Sequence, residues 1–427
     1  MSKLRLIVVD PGHFHAALAL KEMHANLARQ VHVYAPVGPD LVDFLTRVAR
    51  FNTRAEVPTT WEFEIHAGAD FLVRMAGEAV GSAAIFAGRN HQKIAAIGRA
   101  VDAGIHVLSD KPMIIRRTDL PELAAALDRA AARGLVVEDM MGGRQEITRS
   151  LTRLLHADSE IFGDQLAGTT GEPGVAMTSV HHLMKRVSGL PNPRPPWYFD
   201  VHQQGDSLAD IGTHLVDRVH TTLFPETALD SRSDIAVDRV RRWPTMLNLA
   251  QFRQVTGEID WPPYLADAVS GGTLAYQCNT HLDYTVRGVR VGLDMVWDWE
   301  EPLGGSDTHT ETWRGSRARI ELRHGPDEGW RPQLYIVPNA DVAAALQRRV
   351  AGLAETFPGL ALERRGGEWR IVIPDRLRLG HDAHFRELTR GFLARVAQPA
   401  PAQAWERAQL LAKYFVCTAA EAAGNVG

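Results

Sequence analysis

Four short segments of this chain combine residue types that can move a proton or hold an anion. Asp10-Pro11-Gly12-His13-Phe14-His15 follows the apolar run Leu4–Val9. It occupies the place of a phosphate-binding turn at the end of a first strand, where one glycine lets an anion approach the backbone. The same residues also suit a plain tight turn. Gly88-Arg89-Asn90-His91 is a Gly–Asn turn that opens a helix, either against a ligand or with Asn90 as an N-cap. Asp110-Lys111-Pro112 ends another apolar run, and the proline restricts the backbone of Lys111. It reads as an aimed ammonium group or as a solvated charge pair. Asp210 and His214, in GDSLADIGTHLVDRVH, are four apart and share one helical face. A carboxylate beside an imidazole orients the ring and suits it to acid/base work, or forms a plain surface pair.

These segments need elements to hold them. Apolar runs at Leu4–Val9, Val31–Ala35, Ala83–Ala87, Ile105–Leu108 and Leu135–Glu138 read as buried strands. Helical patterns lie between them, near Ala16–Ala28, Lys93–Ala103 and Leu120–Arg133. Strands alternating with helices predict βαβ crossovers and a doubly wound parallel sheet of Rossmann type. Ligands bind such a sheet beyond the carboxyl ends of its strands, where the first three segments fall. The stretch Pro36–Ala67 breaks the rhythm and reads as an inserted helix and loop.

Past residue 150 the pattern changes. A loop is expected at SGLPNPRPPW and a helix around Asp206–Leu223. Thr273–Leu322 alternates polar and apolar residues, as antiparallel strands do, and Gln333–Val337 and Glu368–Ile373 add two more. Helices near His381–Val396 and Ala402–Ala423 close the chain. The fold class is thus α/β: residues 1–150 form the nucleotide-type domain, and residues 151–427 an α+β domain with a large, mainly antiparallel open sheet.

Composition sets further bounds. The chain has 427 residues, 45% hydrophobic and 23% charged, with a formal charge of -4. That balance argues against nucleic acid or an anionic membrane as main partner. Cys278 and Cys417 are the two cysteines, too few for a disulfide framework or a CxxC zinc motif. No apolar run reaches the length of a signal-peptide core or a membrane span, so a cytoplasmic protein is expected.

Two segments carry a resemblance. VDAGIHVLSDKPMI resembles the "aGkHVlcEKP" segment of the glucose–fructose oxidoreductase/inositol dehydrogenase (Gfo/Idh/MocA) family, and GDSLADIGTHLVDRVH resembles its "GG.l.D.g.H.iD" segment. Asn90 falls where that family has Asn in a "TPN..H" turn. The order and separation of the segments agree, and the likeness spans essentially the whole chain. DPGHFHA and the long C-terminal part suggest a distinct subfamily with its own C-terminal domain type.

The resemblance implies an NAD(P)-dependent oxidoreductase acting on CH–OH groups. Hydride passes between nicotinamide and a secondary hydroxyl carbon of a sugar, a glycoside at ring carbon 3, or another polyol. Lys111 matches the family lysine that contacts the reacting hydroxyl. His214 matches the proposed general acid/base, and Asp210 the aspartate that fixes substrate or histidine. The expected cofactor set is Asp10, Gly12, His13, Phe14, His15, Asn90, Asp110 and Lys111, with NAD expected and NADP open. The expected substrate set is Lys111, His181, His182, Lys185, Trp197, Asp210 and His214. Lys111 and His214 are expected to converge beside the nicotinamide, and a homodimer or homotetramer is expected.

Three departures from the family stand out. The GxGxxG fingerprint is absent. Strand two ends Tyr34-Ala35-Pro36, with no acid for a ribose diol and Asp40 a little later. Lys93 replaces the family histidine of the turn. No metal is assigned, although His13/His15 and His181/His182 invite one. Trp197–Tyr198 and the pair Trp297 and Trp299 are sugar-stacking candidates or packing residues, and Arg144 is a cleft or surface arginine. Two rival readings remain: a redox-assisted glycoside lyase or hydrolase that retains NAD, and a non-catalytic nucleotide-binding protein of the same fold.

Overall fold

The computed structural model describes residues 3–78, 81, 83–187, 190–398 and 403–423. Ser188 and Gly189 of the expected SGLPNPRPPW loop, and Ala402 of the expected last helix, lie outside them. The chain divides into two units. The first takes Met1–Gly142, Pro195–Gly205 and Gly380–Thr418; the second takes Gly143–Arg194, Asp206–Leu379 and Ala419–Gly427.

The strands of the first unit are β1 (Leu4–Val9), β2 (Leu27–Ala35), β3 (Glu62–Ala67), β4 (Ala83–Phe86), β5 (His106–Ser109) and β6 (Val137–Asp139). Short apolar runs make β1, β4 and the ends of β2 and β5, while β3 and β6 at the two edges are more polar. All pair in parallel in the order β3-β2-β1-β4-β5-β6. Ile7, Val8, Val33, Ala84 and Val107 are completely buried, as expected of strands covered on both faces. Helices α1 (His15–Leu18), α2 (Pro39–Thr53), α3 (Phe71–Glu78), α4 (Lys93–Asp102) and α5 (Leu120–Ala132) belong to this unit.

Two expectations are corrected here. The stretch Pro36–Ala67 is α2 followed by a sixth strand, β3. Edge position hid it: Glu62, Glu64 and Ala67 are exposed, so no buried run marks the strand. The helix expected over Ala16–Ala28 is four residues long, because β2 already starts at Leu27, paired with Leu4.

The end of the chain returns to this unit. The helix His381–Ala397 places Phe385, Phe392, Leu393 and Val396 in one apolar cluster with Leu6, Val8, Ala16 and Leu20. From the helix Ala404–Cys417, Tyr414 Oη accepts from the Met113 amide (2.9 Å) and donates to Asp139 (2.8 Å). Lys413 Nζ also reaches Asp139, at 2.6 Å. The division therefore differs from a single cut at 150: the apolar faces of these late helices find their cover on the first sheet.

The second unit is built on a ten-stranded sheet. At its centre, β7 (Val175–Met184) runs parallel to Val289–Glu300 and antiparallel to Thr308–Arg314. Long alternating strands, Ile235–Asn248 and Thr273–Val286, form one flank, and Ala318–Arg323, Gln333–Pro338, Glu368–Val372 and Ala361–Arg365 the other. The expected Asp206–Leu223 helix is a short turn, Ser207–Asp210, continued after Ile211 by Gly212–Leu223. One buried carboxylate ties this unit together. Glu311 meets Arg218 Nε (2.6 Å), His309 Nε2 (2.5 Å) and Trp313 Nε1 (2.8 Å). Burial alone raises its pKa, but Arg218 and His309 outweigh that and bring it down to about 2.

Candidate functional site

In the first unit the site is assembled from the loops that leave β1, β4 and β5. At the end of β1 the chain turns with Asp10 at φ 45°. Asp10 Oδ2 accepts the Arg89 amide at 3.0 Å. A Cβ on Gly88 would lie 2.0 Å from the Asp10 carbonyl oxygen, so glycine is required where these two turns meet. Burial raises the Asp10 pKa, and Arg89 opposes the rise.

The turn itself departs from a dinucleotide cradle. The Gly12 amide donates to Asp10 O and the His13 amide to Ala87 O, both at 2.8 Å. A Cβ on Gly12 would come within 2.9 Å of the Trp197 ring. Gly12 is therefore a packing glycine, and the first two amides after the proline are spent inside the protein. Trp197 is 2% exposed; its Nε1 donates to Asp40 (2.9 Å) and Arg89 lies over its ring. Its ring packs inside this unit, between the Gly12 turn and Arg89.

His13 and His15 converge on Asp110, the residue after β5. His13 Nδ1 is 2.8 Å from Asp110 Oδ2, and His15 Nδ1 is 2.9 Å from Oδ1. Burial pushes the Asp110 carboxyl up, but the two imidazoles and their hydrogen bonds hold it well below the usual carboxylate range. Burial lowers His15 to about 4, against the pull of Asp110, so its ring is neutral near pH 7. A neutral His15 that donates Nδ1–H to Asp110 keeps Nε2 as an acceptor. That tautomer is unsuited to donating to a phosphate, the chemistry its position suggested.

The next residue is Lys111, half-buried and followed by a cis bond to Pro112. The turn carrying it is held by Lys93, whose Nζ donates to Asp110 O (3.1 Å), Pro112 O (3.2 Å) and Asn90 Oδ1 (2.5 Å). Asn90 in turn donates through Nδ2 to Gln204 O at 2.7 Å. Asn90 and Lys93 thus act as braces that lock the β4 and β5 turns together. Sequence reading placed Asn90 with the ligand and saw Lys93 as a departure, since burial of a lysine leaves no mark in sequence.

A cavity of about 220 Å³ opens at the carboxyl ends of β1 and β4, where the strand order reverses. Val9, Pro36, Phe71, Leu72 and Ala87 give it apolar walls, and Asp10 and Arg89 also line it. These residues fit the nucleoside half of a nicotinamide dinucleotide. The Gly12 turn does not offer amides for its diphosphate, and Arg89 is a cation lining the same cavity. Phe71, Leu72 and Arg89 were missed in sequence; only the position of Arg89 beside Asn90 hinted at it.

In the second unit, Asp206 caps the turn Ser207–Asp210 by accepting from the amides of Leu208 (3.0 Å) and Ala209 (3.1 Å). Asp210 is buried at 6% exposure, and His214 follows one turn later, its amide bonded to Ile211 O. Gly143 lies beside this histidine; a Cβ there would sit 3.7 Å from His214 Nδ1.

A second polar centre forms at the end of β7. His181 Nδ1 (3.2 Å), His182 Nδ1 (3.1 Å) and Lys185 Nζ (2.5 Å) all meet the carboxylate of Asp307. Burial pushes the Asp307 carboxyl up, but His181, His182 and Lys185 together hold it far below the usual range. Burial lowers His181 and Lys185 against the pull of Asp307. Trp297 is buried between the His181 ring, 5.1 Å away, and the Arg194 guanidinium, 5.0 Å away. Arg144 is bound to Asp217 through Nε (3.0 Å) and Nη2 (2.5 Å). Asp307 was invisible in sequence, where it is one polar residue in a glycine-rich turn.

Residues 151–424 match the family model described as "Putative oxidoreductase C terminal domain". The chain belongs to this oxidoreductase family. It is of the Gfo/Idh/MocA type that the two motifs resemble. A solved structure described as a "putative oxidoreductase" from Parabacteroides merdae ATCC 43184 is 38% identical, with a TM-score of 0.95 over 99% of this chain and 97% of that one. KijD10, a 3-ketoreductase from Actinomadura kijaniata solved with TDP-benzene and NADP, shares the fold at 15% identity, TM-score 0.57, covering 97% of this chain and 96% of its own. GenD2 from gentamicin A biosynthesis, solved with NAD, does so at 12% identity, TM-score 0.58, covering 100% and 95%. No curated protein matches the chain. Among the described residues no helix is long and apolar enough to cross a membrane.

Proposed function

We propose that this oxidoreductase moves hydride between NAD(P) and a secondary hydroxyl carbon of a sugar or glycoside, ring carbon 3 being the preferred position. The observation that carries the reading is the Asp110–Lys111–Pro112 turn: a half-buried lysine on a turn whose carbonyls Lys93 braces at a strand's carboxyl end, in the sheet that holds the switch-point cavity. Val9, Phe71, Leu72 and Arg89 would hold the nucleoside end of the dinucleotide. When bound, the nicotinamide supplies a two-electron hydride acceptor. A neighbour of the same fold, named a 3-ketoreductase, supports the choice of carbon.

The chain's own residues then have separable tasks. Losing hydride from carbon leaves its hydroxyl proton acidic, and a cation beside that oxygen stabilises the developing alkoxide. Lys111 is proposed for that task. His214 is proposed to take the proton, with Asp210 one helical turn before it. His181, His182 and Lys185, gathered by Asp307, are proposed to bind the remaining hydroxyls, as neutral or charged donors do.

The test is incubation with NAD or NADP and a panel of 3-hydroxy glucosides, inositols and aldoses, followed at the reduced-nicotinamide absorbance and by mass of the keto product. Turnover with a keto glycoside is the expected result. A panel that yields neither reduced cofactor nor keto product overturns the reading.

A further inference from the structure

Lys111 stands in a turn whose backbone is held from several sides. The Asp110 amide donates to Phe86 O at 2.6 Å, and Lys93 Nζ bonds the carbonyls of Asp110 and Pro112. The next amide, that of Met113, donates to Tyr414 Oη at 2.9 Å, across 301 residues of chain. Tyr414 lies on the closing helix Ala404–Cys417 and is completely buried. Its hydroxyl meets Asp139 Oδ2 at 2.8 Å, and Lys413 Nζ meets the same oxygen at 2.6 Å. The Lys413 side chain is 2% exposed and that of Asp139 5%. Asp139 ends β6 and pairs with Ser109 of β5, the residue just before the turn.

Donor counting gives this chain of bonds one direction. A lysine only donates, a carboxylate only accepts, and a tyrosine hydroxyl has a single proton. Burial and the charge of Asp139 hold the Tyr414 hydroxyl well above its ordinary pKa, so the proton stays in place. It points to Asp139, which leaves the lone pairs of Oη to the Met113 amide. Docking of the helix does not call for this arrangement. A phenylalanine would fill the same space with no hydroxyl to satisfy. A buried ion pair is also a poor source of stability, because apolar residues of like volume often do as well or better. Three buried polar side chains thus end on one amide, two residues after Lys111.

We propose that Tyr414, oriented by Asp139 and Lys413, is a positioning residue for Lys111. It fixes the amide that closes the turn, as Lys93 fixes the carbonyls. The inference rests on the proposed task of Lys111. An ammonium group that must meet a developing alkoxide acts through its placement, and a shift of about 1 Å can cost about 10²-fold in rate.

The test uses the full-length chain with NAD and a glucoside that it oxidises, and compares Tyr414→Phe with the wild type. The expected result is a kcat lower by about tenfold to hundredfold, with KM for the sugar within about threefold. The rate at which acetic anhydride labels Lys111, read by mass spectrometry, should change with it. Lys413→Met should share the loss, and Lys413→Arg, which returns a donor to Asp139, should recover most of it. Arg407→Gln is the control. It cuts the Arg407–Asp128 ion pair on the same helix (2.6 and 2.8 Å) without touching the tie to Met113, so rate and labelling should stay as they are. If Tyr414→Phe fails to fold, the two Lys413 variants decide. An unchanged kcat in the folded variant, a loss carried by KM, or an equal loss in Arg407→Gln overturns the proposal. A wild type that oxidises no member of the panel overturns the reaction alone. The labelling then decides the positioning, and a Lys111 rate that Tyr414→Phe leaves unchanged overturns it.

Discussion

Asp110 and Asp307 each gather two histidines, one in the parallel-sheet unit and the other in the large-sheet unit, yet their surroundings differ. The Asp110 side chain is 5% exposed, and each of its oxygens takes one imidazole Nδ1. Asp307 is 24% exposed and adds the Lys185 ammonium to its two histidines. The first arrangement fixes tautomers, because a buried ring such as His15 stays neutral. The second is an ion pair partly open to solvent. One carboxylate sits in a closed setting, the other at a solvent-facing ion pair.

Variants can break that contrast. The largest effect is expected at the residue that Asp110 leads into: Lys111→Ala should lower kcat by about 10²–10⁴ with NAD and a glucoside. His214→Ala should do likewise, and the double variant should lose less than the two losses combined if the pair acts as a unit. Steady-state kinetics reads both.

The next effect is on stability against pH. His15 has a folded pKa near 4, below its usual 6.5, so the unfolded chain binds the extra proton between those values. Stability should fall as pH drops across that window, by about 3 kcal/mol at most. His15→Gln should flatten the fall in denaturant melts. Asp307, whose pKa is depressed, keeps its contribution above the usual carboxylate range and loses it only in stronger acid. Asp307→Asn, however, removes the carboxylate that pulls His181 up, so it should steepen the fall in stability between pH 6.5 and 4.

Smaller still, Lys185→Gln should cost about 1 kcal/mol of stability and act on KM more than on kcat. Smallest, Arg89→Ala removes a guanidinium stacked on Trp197 and should cost about 0.5–1 kcal/mol in a thermal melt. A tighter cofactor dependence of that variant would tie Arg89 to the dinucleotide.

The legible parts of this chain were those with strong local signals. Buried strands such as Leu4–Val9 and Ala83–Phe86 show as unbroken apolar runs, and the DKP and GDSLADIGTH motifs stand out by residue type. The edge strand β3 was missed because only His66 of its six residues is buried. The partners of Asn90, Gln204 and Lys93, left no mark in sequence for a related reason: they are set by packing and not by spacing.

The sequence by itself determined the alternation of strands and helices, the family, and which residue types stand at strand ends. The alternation and the residue types are local properties, written in period and composition; the family shows in the two motifs that resemble it. Only tertiary structure decided that the closing helices cover the first sheet, that two histidines share Asp110, and that Asp307 joins His181, His182 and Lys185. Such meetings depend on where distant apolar faces find cover, and a buried carboxylate then collects whichever donors the packing brings within reach.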